Sequence, residues 1–207
     1  MPSYKLQYFN FRGSAELSRL LFTVAGKDFD DDRLKDGAWA AAKPRTPYGQ
    51  LPVLVVDKKT QINQSAAISR YLAREFGLYG KNNMENTKCD IVLETINDLT
   101  TEMFKFMFEK DEAKKANLCK EFKSTAVPKF TKFITKTLID NGGKFLVGSE
   151  LTIADIALFD TLDKITSYPA LGDACLKDCS DLKAHFQKVK TLPKIQKYLE
   201  KRPKTDF

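Results

Sequence analysis

A proline that opens an apolar strand, followed shortly by a polar pair that opens a helix, limits the folds open to this chain. The run is Gly49-Gln50-Leu51-Pro52-Val53-Leu54-Val55-Val56, and Gln64-Ser65-Ala66-Ala67-Ile68 comes after it. A continuous apolar strand of this kind belongs inside a sheet whose faces are covered by helices. A cis bond at Leu51-Pro52 would turn the Leu51 N–H and C=O outward, free to pair with an extended, peptide-like ligand. The helix start at Gln64-Ser65 offers free N–H groups and a positive dipole end to a carboxylate. Tyr8 adds a hydroxyl close to where the reactive atom of such a ligand would lie.

Around this run the pattern is mixed. Lys5 to Phe9 alternates, with Leu6 and Tyr8 in one phase, which predicts a strand broken by Gly13. Leu17, Leu20, Leu21, Val24 and Ala25 recur at helical spacing, and Gly26 suits the stop. Phe29 to Leu34 reads as a second strand, Pro44 to Gly49 as a loop and Leu51 to Val56 as a third strand. Asp57-Lys58-Lys59 turns the chain into Thr60-Gln61-Ile62, and a helix runs from Ser65, its expected N-cap, to Phe76. This order gives a small mixed sheet with helices on its faces.

From Met84 onward the alternation gives way to apolar residues three and four apart: Ile91, Thr95, Leu99, Met103 and Phe106. Pro128, Gly142-Gly143, Pro169 to Gly172 and Pro193 separate the helices expected there. Two domains follow, 1–79 and 84–207. Thr152-Ile153-Ala154-Asp155 is a capping box with Leu151 and Ile156 at the staple positions, a structural motif.

Composition removes several classes of function. The net charge of +7 is spread as +4 over 1–80 and +3 over 81–207, with no basic arm or face to suit a nucleic acid. No apolar run reaches the roughly 20 residues a membrane span needs. Met1 to Lys5 has no secretory pattern, so the four cysteines read as reduced thiols of a cytoplasmic protein. Cys175 and Cys179 alone make a poor zinc site, and no metal is expected. His185, the lone histidine, is expected on the surface, and its isolation argues against Ser-His or Cys-His nucleophiles.

Tyr4 to Gly13, Trp39, Lys43, Pro47 to Pro52 and Gln64 to Ala73, in this order, resemble the cytosolic glutathione transferases of the sigma type and their nematode (nu) relatives. The resemblance extends through Thr152 to Asp155 and the closing Arg202-Pro203-Lys204-Thr205. It implies an α/β, thioredoxin-like N-terminal domain, an all-α helical-bundle C-terminal domain, a homodimer, and glutathione as co-substrate. Tyr8 would hydrogen-bond the glutathione sulfur. Trp39 and Lys43 would hold the glycine carboxylate, Gln50, Leu51 and Pro52 the cysteinyl portion, and Gln64 and Ser65 the γ-glutamyl end. Asp98 would reach the γ-glutamyl amine of the neighbouring subunit. Phe9, Ser14, Phe104, Met107 and Phe207 are expected to line the pocket for a hydrophobic electrophile. Ser14 departs from sigma members that carry an arginine there.

The implied activity is conjugation of glutathione to such electrophiles. Glutathione-dependent peroxidase and prostaglandin isomerase activities are further implications. The alternative is a non-catalytic carrier of haem or other hydrophobic ligands. No cysteine lies near Tyr8 and no Cys-x-x-Cys follows the first strand, which disfavours dithiol redox chemistry.

Overall fold

Strand β1 (Tyr4–Phe9) buries Tyr4, Leu6 and Tyr8 on one face, the phase its alternation predicts. The fold, taken from a computed structural model, is described for residues 2–35 and 37–205. After β1 come helix α1 (Glu16–Ala25), strand β2 (Asp30–Leu34) and the short helix α2 (Trp39–Ala42). Strands β3 (Val53–Val56) and β4 (Thr60–Asn63) and helix α3 (Ser65–Glu75) follow. The strands lie in the order β2-β1-β3-β4, with β1 parallel to β2 and antiparallel to β3. This is the thioredoxin-like sheet that the resemblance implies. β3 is shorter than the apolar run, because Pro52 has no N–H to give to the ladder. Asp57 and Lys58 take left-handed conformations in the turn to β4, which suits the twist of a hairpin.

The core of this unit is fully buried and joins β1, α1, β3 and α3 through Leu6, Leu20, Leu21, Leu54, Ile68 and Leu72. Phe22 stacks on Phe29 and meets Tyr4 and Phe76 at tilted angles. Polar groups share this interior: Glu16 and Arg19 of α1 are both wholly buried.

Residues 79–191 form a second compact unit of helices. They are α4 (Asn83–Met107), α5 (Glu112–Glu121), α6 (Val127–Asp140), α7 (Ile153–Ser167) and α8 (Ser180–Lys190). The Asn82 side chain caps α4 by accepting from the Glu85 N–H at 2.9 Å. The buried stripe of α4 is Cys89, Val92, Ile96, Leu99, Met103 and Phe106, so the expected Ile91 and Thr95 lie off it. Steps of four alone wind around a helix, whereas alternating steps of three and four keep one face.

Helix α7 is buried along almost its whole length and carries the capping box as expected. The Asp155 carboxylate accepts from the Thr152 N–H at 2.9 Å and from the Leu146 N–H at 2.8 Å. His185 is 3% exposed, and its Nε2 lies 2.8 Å from the same carboxylate. It is therefore a buried structural group, contrary to the surface position expected for it. Its partner stands 30 residues away, beyond the reach of any local pattern.

The last helix, α9 (Pro193–Lys201), belongs with the first unit: residues 192–205 group with 2–78. It packs on α1, where Lys194 donates to the Val24 carbonyl at 2.9 Å. A cation at the carbonyl end of a helix complements the dipole. Among the described residues no helix is long and apolar enough to cross a membrane.

Two outcomes are expected from this packing. Asp155→Ala should lower the unfolding free energy in denaturant titrations by about 3–5 kcal/mol, because its buried donors lose their acceptor together. Burial pushes the Cys89 thiol up to about 11 and the Cys175 thiol up to about 12. Alkylation near neutral pH, followed by mass spectrometry, should therefore label the less buried Cys119 and Cys179 well before Cys89 and Cys175.

Candidate active site

The end of β1 carries Tyr8, whose ring is 6% exposed and packs edge-on against Phe9 and Phe11. Its hydroxyl oxygen accepts a hydrogen bond from the Ser14 N–H at 3.1 Å. A phenol has one hydrogen to give, so an oxygen that already accepts from the main chain keeps that hydrogen for another acceptor. Gly13 makes the approach fit. Its φ is +41°, and a Cβ there would lie 2.5 Å from the Tyr8 oxygen. A larger residue would drive the loop and the phenol apart.

Beside this loop lies a polar cleft of about 200 Å³, lined by Ser14, Gln50, Leu51, Pro52, Asn63, Gln64 and Ser65. The Leu51–Pro52 peptide is cis. Gln64, and not Ser65, is the N-cap of α3, with φ +69° and ψ 112°. Such a backbone is sparsely populated for a residue with a side chain, and costs about 1–3 kcal/mol where the surroundings impose it. No side chain caps α3, so Ser65 starts the helix instead of closing it. The first N–H groups of a helix have no partners within it. Here they open beside the cleft that Ser65 and Gln64 line.

The other expected residues fall into two sets. Trp39 meets Phe9 edge-on at 5.6 Å, and Phe9 stacks on Phe11 at 5.5 Å, so an aromatic cluster runs from Tyr8 to Trp39. Lys43 is exposed and passes over Gly49, where a Cβ would lie 3.6 Å from its Cε. Neither Trp39 nor Lys43 lines the cleft itself. Asp98, Phe104 and Met107 belong to α4 in the second unit, with Asp98 exposed and Phe104 against Phe108 at 5.5 Å. Phe207 lies outside the described residues.

Sequence reasoning missed Asn63 and a buried network behind Tyr8. Arg19 Nη1 donates to the Phe11 and Arg12 carbonyls at 2.9 and 3.4 Å and to Glu16 Oε2 at 3.3 Å. Its Nε donates to Asp31 at 3.0 Å. Glu16 Oε1 accepts from Tyr198 and from Arg202, each at 3.1 Å. Burial, then the Glu16 charge, pushes the Tyr198 phenol well above its ordinary value, so it remains a donor. Charged residues three apart on a helix ordinarily signal a solvated face, so nothing local marks Glu16 and Arg19 as buried.

A larger open groove of about 490 Å³ lies in the second unit, with Thr131, Lys132, Lys136, Ile139, Asp140 and Cys179 among its walls. Among the described residues no group of three His, Cys, Asp or Glu could hold a metal ion. The cleft and Tyr8 are thus suited to an extended ligand with an acidic terminus and a soft acceptor facing the phenol.

Comparison with known proteins identifies the family. Residues 4–74 match the family model described as glutathione S-transferase, N-terminal domain, and residues 97–202 match the one for the C-terminal domain. Glutathione S-transferase 1 of Ascaris suum is 40% identical, with both chains covered in full. S-crystallin SL11 of Nototodarus sloanii is likewise 40% identical over the whole of both chains. The crystal structure of the glutathione S-transferase from Ascaris lumbricoides superposes with a TM-score of 0.91 at 38% identity, covering 99% of this chain and 100% of that one. The chain belongs to the glutathione S-transferase family.

Proposed function

We propose that this protein transfers the sulfur of glutathione to hydrophobic electrophiles, with Tyr8 as the catalytic residue. The observation that carries the reading is the Ser14 N–H bonded to the Tyr8 oxygen, which leaves the phenolic hydrogen for a thiolate. Overall similarity to an S-crystallin is as high as to a transferase, so this local geometry supports activity better than identity does. Glutathione would lie extended in the first domain, read from the sequence as 1–79. Trp39 and Lys43 take its glycine carboxylate, the Leu51 main chain beside Gln50 and Pro52 takes the cysteinyl portion, and Gln64 and Ser65 take the γ-glutamyl end. Phe9 and Ser14 are the first unit's candidates for contact with the electrophile, and Phe104 and Met107 of α4 those of the second unit.

A homodimer acting in the cytoplasm completes the proposal, with Asp98 of one subunit serving its neighbour. Exposed Tyr48, Met84 and Ile91 supply apolar surface for such an association.

Magnitudes divide the catalytic work. A free thiol is only about 3% ionised at pH 7. Lowering its pKa by about 2 units takes roughly 2.7 kcal/mol, within the range of one hydrogen bond to a charged acceptor. The thiolate fraction then rises about 25-fold, but the less basic sulfur loses about 8-fold in nucleophilicity at a Brønsted slope near 0.45. The net gain is about threefold, so holding the electrophile against the sulfur contributes more.

Steady-state conjugation of a chromogenic aryl halide tests this. Tyr8→Phe should bind glutathione within about twofold of the native protein, lose conjugation rate and show a raised pKa of the bound thiol. Unchanged kinetics would remove Tyr8 from its role, and absent turnover in the native protein together with tight haem binding would favour a carrier. Gln64→Gly should raise the unfolding free energy by about 1 kcal/mol by releasing backbone strain. In calorimetric titration the same change should weaken glutathione binding about tenfold, through loss of the amide side chain.

A further inference from the structure

The ions behind Tyr8 have no part in the chemistry proposed above, yet their burial is costly. Taking charges out of water is offset only when the geometry is good and the remaining donors and acceptors are satisfied. Here the ion chain runs from Asp31 on β2 through Arg19 and Glu16 on α1 to Arg202 at the end of α9, and Tyr198 adds a neutral donor. Arg33 closes the far side by donating to Asp31 at 2.7 Å. Arg19 and Glu16 are 0% exposed, so their arrangement is set by these partners and not by water.

The same guanidinium fixes the loop that serves Tyr8. Its Nη1 holds the carbonyls of Phe11 and Arg12. The next two residues are Gly13, with no space for a Cβ beside the phenol, and Ser14, whose N–H reaches the phenol oxygen. The guanidinium carbon also lies 5.9 Å from the centroid of the Tyr8 ring. Moving Arg19 would therefore move both the N–H that orients the phenol and the charge over its face.

We infer that Arg19 is a positioning residue for Tyr8, and that Arg202 and Tyr198 of the C-terminal helix hold it in place through Glu16. The inference rests on the reading of Tyr8 as the group that stabilises the glutathione thiolate. It adds that the far end of the chain tunes that stabilisation. Charges facing Glu16 and Arg19 come from β2 (Asp31 and Arg33) and from α9 (Arg202), and Tyr198 stays neutral.

The test is the pH profile of kcat/KM for conjugation in the full-length protein, with KM for glutathione measured separately. Arg202→Gln and Tyr198→Phe should each displace the profile upward by about half a unit. That is about a twofold loss at pH 6.5, approaching threefold below about pH 5.5, and it closes above about pH 8, where the bound thiol is ionised in either protein. KM for glutathione should stay within about twofold, since none of its proposed contacts change. Arg202→Lys, which keeps a cationic donor, should restore most of the native profile.

Profiles of Arg202→Gln and Tyr198→Phe that superimpose on the native one, while Tyr8→Phe is displaced, would overturn this inference and leave the Tyr8 reading standing. A loss of equal size at every pH, unrestored by Arg202→Lys, would also overturn it, since that marks general damage to the fold. An undisplaced profile in Tyr8→Phe would overturn the phenol's assignment, and this inference with it.

Discussion

The main-chain N–H of Ser14 meets the oxygen of Tyr8, and the usefulness of the N-terminal unit depends on that contact. A phenol without it could turn its hydrogen into the protein or toward water. With one lone pair of the oxygen engaged from behind, the hydrogen is directed to whatever lies in front. The contact demands a loop that folds tightly over the ring, hence a glycine at 13 and anchored carbonyls at 11 and 12. Helix α1 supplies the anchor, and the sheet supplies the position of the ring. Fold and site are joined at this point more closely than at the cleft, whose lining, Ser14 apart, comes from the segments that flank β3 and precede α3.

Both units bury charge, and in each a wholly buried carboxylate gathers several donors. In the first, Glu16 gathers donors from α1 and α9; in the second, Asp155 gathers them from a loop, a helix cap and α8. Neither arrangement is a cheap source of stability, because apolar side chains of similar volume often do as well. Their value lies in direction. A carboxylate with several fixed donors tolerates few placements of the elements that bring them, so each unit has one register where a greasy interface would allow several.

Most of the fold was legible in the sequence because strands and helices announce themselves through neighbours. Leu6 and Tyr8 share a phase, the run ending at Val56 has no polar break, and Thr152 with Asp155 satisfies a local rule. The cleft residues were legible for a related reason, since Gln50 to Pro52 and Gln64 with Ser65 flank the same strand pair. What escaped was long-range polar pairing. Glu16 and Arg202 stand 186 positions apart, and His185 looks like any surface residue until Asp155 is seen beside it. The Ser14 N–H was hidden more deeply, because a backbone donor has no letter of its own. Ser65 is not the cap because the cap position falls one residue earlier, on the positive-φ Gln64, and Ser65 is already the first residue of the helix.

The return of α9 to the first unit has a consequence for how this protein is made. As the chain leaves the ribosome, residues 79–191 form a continuous segment that is complete before α9 emerges. The sheet that emerged earlier must wait, with the Glu16 carboxylate short of two of its donors, until α9 has also emerged. Of the two units, the one whose translation begins earlier is thus the later to be finished.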